Sequence, residues 1–128
     1  MTDDRSVSFE ERADVTIARL HGSEFCSKTV ELIQEKLQQL AEAGKPPHFV
    51  LDLSNLSFLN SIGIGAMVVC LKHVKQRGGQ LVLVGLKGHC LGILRVVGLT
   101  KAFSTCPDIE SGIEAIHRKQ MAPAATGM

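Results

Sequence analysis

The chain has 128 residues, 45% of them hydrophobic and 21% charged, with 14 Lys and Arg against 13 Asp and Glu and a net charge of +1. That length and balance exclude a second independent core, a largely disordered chain and a whole-chain attraction to nucleic acid or an anionic membrane. With no Trp, no Tyr and 5 Phe, a stacking platform for single-stranded nucleic acid has almost nothing to build on.

The N-terminal stretch MTDDRSVSFEERAD is acidic and polar, unlike a secretory signal. Val7-Ser8-Phe9-Glu10 and Val15–Leu20 alternate and are β-prone, with Ala13-Asp14 between them, so residues 7–20 read as a hairpin. Residues 27–43 read as an amphipathic helix, with Val30, Ile33, Leu37, Leu40 and Ala41 on one stripe, Ser27 or Ser23 as its cap and Gly44 just past its end. Pro46-Pro47 leads into His48–Leu53, an almost continuous apolar run that suits a strand buried on both faces.

Residues 54–60 form a loop, and a second helix is expected from Ser61 to Arg77. Its basic end, Lys72-His73-Val74-Lys75-Gln76-Arg77, precedes Gly78-Gly79, as cations favoured by a helix C-terminus would. Gln80–Val84 is another buried-type strand, Gly85–Gly88 a turn, and 89–97 a short helix ended by Gly98. A short strand is expected near Phe103, a last helix over 108–119, and a flexible tail over 118–128. The order β-β-α-β-α-β-α-β-α predicts one small α/β domain over 1–128 with its core at 7–117. It combines a mixed sheet, made of an N-terminal hairpin and right-handed β-α-β units, with about four helices.

Catalytic patterns are missing. There is no phosphate loop and no nucleophile elbow, and Gly63-Ile64-Gly65 is a lone G-x-G inside a helix start. The five histidines have no i, i+4 pair. The four cysteines, Cys26, Cys70, Cys90 and Cys106, form no C-x-x-C pair and read as free thiols. No apolar run reaches the roughly 18 residues of a bilayer span. The expectation is a cytoplasmic, non-enzymatic protein with no cofactor, no metal, no membrane insertion and no direct nucleic-acid contact.

The unusual stretch is Asp52-Leu53-Ser54 to Gly65, a buried strand running through a loop into a helix whose first turn holds two glycines. Each glycine costs about 1 kcal/mol relative to Ala in a helix, so this turn is expected to serve close approach, either of the sheet or of another surface. Asn60 or Ser61 is the natural N-cap.

This stretch, followed by Gly78-Gly79-Gln80-Leu81-Val82-Leu83-Val84-Gly85 and by Gly98-Leu99-Thr100-Lys101-Ala102-Phe103, resembles the STAS domain, most nearly that of the anti-sigma factor antagonists. The resemblance covers about residues 7–117. It implies a module that works by partner switching: an anti-sigma factor that is itself a serine kinase phosphorylates the antagonist, and a serine phosphatase resets it. The family's phosphorylated serine falls on Ser61. The implied partner-binding residues are Ser23, Glu24, Asn60, Ser61, Ile62, Gly63, Ile64, Gly65 and Met67, with Gly63, Ile64 and Met67 expected in an exposed first turn.

Three positions depart from the family pattern. Asn60 stands where Asp is usual, and Ile62 where a second Ser or Thr is frequent. The loop Gly22-Ser23-Glu24-Phe25 has one acid rather than a pair. An alternative reading within the same resemblance is the unphosphorylated regulatory subunit of a lipid ABC transporter. The C-terminal domain of an anion transporter is disfavoured by the initial Met and the lack of spans.

Overall fold

The computed structural model describes residues 7–24, 26–99 and 101–121. The elements follow the expected order: β1 (Val7–Arg12), β2 (Val15–Leu20), α1 (Ser27–Glu42), β3 (His48–Asp52), α2 (Ser61–Gln76), β4 (Gln80–Val84), α3 (Gly88–Val96), β5 (Ser104–Cys106) and α4 (Ile109–Met121). The five strands form one sheet in the order β1-β2-β3-β4-β5. β1 and β2 are antiparallel, with Arg12 opposite Val15, and every later pair is parallel. The hairpin turn uses Ala13 at φ 57, a left-handed conformation that a residue with a Cβ adopts at some cost.

Alternation along β2, β3 and β4 divides the core between the two faces of the sheet. Ala18, Leu20, Phe49, Leu51, Leu81 and Leu83 pack with α1, α2 and α3. Val15, Ile17, Val50, Val82 and Val84 pack with Ile113 and Ile116 of α4. Both faces of the central strands are covered, which is why β3 and β4 read as unbroken apolar runs rather than alternating ones.

Two local expectations need correction. The N-cap of α1 is Cys26 rather than Ser23 or Ser27, and its side chain makes no capping bond. α4 runs to Met121, through residues expected in the flexible tail; residues 122–128 lie outside the described ones. Asp108 caps α4, its Oδ1 accepting the Ser111 N–H at 2.9 Å. The Ser111 bonds hold the Asp108 carboxyl below its ordinary range. Among the described residues, no helix is long and apolar enough to cross a membrane.

Candidate functional site

In a parallel sheet the loops leaving the C-terminal ends of neighbouring strands lie side by side. The segments after β2, β3 and β4 therefore meet at one edge. The segment after β3 is held from several directions. The Leu53 N–H donates to the Val84 carbonyl at 2.9 Å, and the Ser54 N–H to Asp52 Oδ1 at 3.1 Å. Asn55 Nδ2 donates to the Leu20 carbonyl at 3.1 Å. Lys87, just before α3, donates to the carbonyls of Ser54 at 3.1 Å and Leu56 at 3.4 Å, and His89 bonds the Ser57 carbonyl. Leu56 and Leu59 sink into the core, and between them the loop lifts Phe58 into solvent, 52% exposed.

This fixed loop delivers the start of α2. Asn60 is extended, at φ −100 and ψ 177, and is the N-cap. Its Oδ1 accepts the Gly63 N–H at 2.8 Å, satisfying one of the helix's unpaired donors. Its Nδ2 points to Glu24 Oε1, 3.5 Å away. Ser61 is the first helical residue and is exposed, and nothing among the described residues bonds its hydroxyl. Ile62 is 51% exposed, Ile64 is half-buried against the core, and a Cβ added at Gly65 would meet no atom within 4 Å.

Most of the expected patch does come together. The Ser57 N–H donates to the Ser23 carbonyl at 2.9 Å, tying the loop after β2 to the loop before α2. Ser23, Glu24, Asn60, Ser61, Ile62 and Gly65 thus share one end of the molecule. Phe25 lies outside the described residues.

Gly63 and Met67 require correction. Met67 is 1% exposed and packs in the core with Phe49 and Leu51, and Gly63 is buried. Both face the sheet, and the exposed residues of this turn are Ser61, Ile62 and Gly65. Phe58, Lys87 and His89 were not expected. Topology is the signal that finds the last two: β4 pairs with β3, so the turn after β4 must lie against the loop after β3.

The thiols differ by position. Cys26 is exposed beside this patch, whereas Cys70 and Cys90 are buried. Burial pushes the Cys70 thiol up to about 12. Among the described residues, no group of three or more His, Cys, Asp or Glu is placed to hold a metal ion.

The family model of the STAS domain matches residues 6–112. The chain is 27% identical over 95 residues to the anti-sigma F factor antagonist of Paenibacillus polymyxa, covering 74% of this chain and 80% of that one. It is 30% identical over 83 residues to the anti-sigma-B factor antagonist of Bacillus subtilis, covering 65% and 74%. Among solved structures, a STAS domain protein from Planctomyces limnophilus superposes with a TM-score of 0.74 over 87% of this chain and 97% of that one, at 18% identity. An anti-sigma factor antagonist from Mycobacterium paratuberculosis does so with 0.70 over 87% and 92%, at 19% identity. At such identities the superpositions speak for the fold. The chain belongs to the STAS domain family. Within it, this is a relative of the bacterial anti-sigma factor antagonists.

Proposed function

We propose that this protein is an anti-sigma factor antagonist that works by partner switching. With Ser61 unphosphorylated it binds an anti-sigma factor that is also a serine kinase, and phosphorylation of Ser61 releases that partner. The observation that carries this reading is the setting of Ser61. Its hydroxyl is exposed and unheld, at the first turn of a helix, flanked by the solvent-exposed apolar side chains of Phe58 and Ile62. Exposed large apolar residues rimmed by polar groups are a feature of protein-binding surfaces. The curated relatives, named as antagonists of anti-sigma factors, supply the kind of partner.

Phosphorylation moves the γ-phosphoryl group of ATP to Ser61 Oγ, leaving ADP and releasing the hydroxyl proton. The product carries about −1.5 to −2 charge at neutral pH. A helix N-terminus welcomes that charge, so α2 stays folded and the effect falls on the partner's surface. A serine phosphatase restores the hydroxyl by hydrolysis. Asn60 keeps the cap that Asp would give, but its amide is a very poor base beside the attacking hydroxyl.

Binding of the cognate anti-sigma factor to three proteins tests the proposal. Wild type and Ser61→Ala bind alike, Ser61→Asp binds more weakly at unchanged circular dichroism, and Ser61→Ala alone is not released by ATP. Phosphate incorporation into Asn60→Asp is faster than into wild type. Equal affinity of wild type and Ser61→Asp overturns the switch and favours the transporter-subunit reading.

A further inference from the structure

At the opposite edge of the sheet, the structure contains a second polar site that has no part in the Ser61 surface. β5 begins late: its first residue, Ser104, pairs with Val82, so Gln80 and Leu81 at the start of β4 have no strand partner on that side. The gap is a depression of about 240 Å³. Its floor is mixed, with the apolar side chains of Leu71, Leu81, Val82 and Ala102 beside Gly79, Gln80 and Ser104. Its cations are Lys75 from α2, Lys101 from the segment before β5, and Lys119 from α4, and no carboxylate among the described residues lines it.

Among the described residues, lysines and arginines without a carboxylate within 4 Å are common, and what sets this depression apart is that three of them line it together. Arg12, Arg19, Lys28, Lys36 and Arg118 each have a carboxylate within 4 Å. Lys75, Lys101 and Lys119 have none among the described residues. A helix C-terminus favours a cation and accounts for Lys75 and Lys119 one at a time. It does not account for Lys101, which is on no helix, or for the convergence of all three on one hollow in a chain of net charge +1. Three like charges around a concave surface repel one another and focus a positive potential into the gap, which a compact multivalent anion relieves.

We propose that this depression binds a phosphate anion of at least two charges, held by Lys75, Lys101 and Lys119. Lysine ammonium groups bind phosphate as point charges. The gap suits a diphosphate in size, and the apolar side chains in its floor give an attached organic group a surface to lie on. Lys75 is 14 residues along α2 from Ser61, or about 21 Å at the helical rise, so the anion and the partner can be held at once. The site stands whether or not Ser61 is phosphorylated.

The test is titration of the full-length protein with sodium pyrophosphate at low salt, followed by amide chemical shifts. Saturable shifts are expected at Gly79, Gln80, Lys101 and Ser104, and not at Asn60–Gly65. Affinity falls at least about tenfold in a Lys75→Gln, Lys101→Gln, Lys119→Gln triple variant, and is unchanged in Lys72→Gln, outside the depression. Should the triple variant not fold, Lys101→Gln alone is expected to weaken binding, since Lys101 is on no helix. Adenosine diphosphate separates the two sources of the same chemistry. Tighter binding than pyrophosphate means that the floor takes the nucleoside, and equal binding means that the site reads phosphate alone. Shifts that stay linear with concentration, or saturable binding undiminished by loss of the three lysines, overturn the proposal.

Discussion

Two helices on opposite faces of the sheet, α2 and α4, carry glycines in their first half, and two of these, Gly65 of α2 and Gly112 of α4, do opposite things. A Cβ at Gly112 of α4 would lie 2.9 Å from Val84 Cγ1 and 3.4 Å from both methyls of Val50. A Cβ at Gly65 of α2 would meet nothing within 4 Å. Gly112 lets α4 sit close on β3 and β4, so on that face the missing side chain serves the fold. Gly65 is surrounded by solvent, and the fold gains nothing from it. Under the proposed function, Gly65 leaves room for an outside surface to approach, at some cost in helix stability.

The largest effect expected from this contrast is at Gly112. Gly112→Leu forces a branched side chain between α4 and the two valines and destabilises the protein by about 3 kcal/mol or more. Urea unfolding measures it, and a loss under about 1 kcal/mol would mean that α4 is not closely docked.

A smaller effect on the same face comes from His48, which is 4% exposed at the start of β3. Burial holds its imidazole below the ordinary value, the nearby Asp14 carboxylate opposes that, and His117 adds to it. His117 itself bonds Asp14, Nε2 to Oδ1 at 2.9 Å. The unfolded chain therefore takes up the His48 proton more readily than the folded one. His48's contribution is complete above the unfolded value of about 6.5 and is lost as pH falls below it toward the folded value. Thermal melts from pH 7.5 to 5 should show the midpoint dropping on the acid side, and His48→Gln should flatten that drop.

The smallest expected change has the opposite sign. Gly65→Ala replaces a solvent-exposed glycine inside a helix and stabilises the protein by up to about 1 kcal/mol. A thermal midpoint that falls instead would show that the space around Gly65 is filled.

The sequence made the α4 face easier to read than the α2 surface. The period-3.6 pattern of Ile109, Ile113 and Ile116 has a single apolar side, so α4 could be oriented from its sequence. The strands β3 and β4 were equally legible, because both of their faces are buried. α2 is apolar nearly all round. Met67, Cys70 and Val74 face the core while Ile62, Val68 and Val69 are exposed, and periodicity cannot rank the two stripes. That is why Met67 was expected at the surface. Asn60 was readable as a cap because its chemistry is local. The contacts of Lys87 and His89 with the loop before α2 span more than 30 residues and depend on the pairing of β3 with β4, which no local pattern carries. The cap of α1 was misplaced because serines flank a cysteine that begins the helix with no side-chain capping bond to the backbone, its thiol meeting the Thr29 hydroxyl instead.

The central claim is that the exposed first turns of α2 form a contact surface for another protein. Gly65→Trp tests it most directly, with affinity for the cognate anti-sigma factor and the thermal midpoint measured on the same sample. The account predicts that binding is abolished while circular dichroism is unchanged and the midpoint does not fall, because the indole projects into open space. Undiminished binding by a folded Gly65→Trp protein would contradict it.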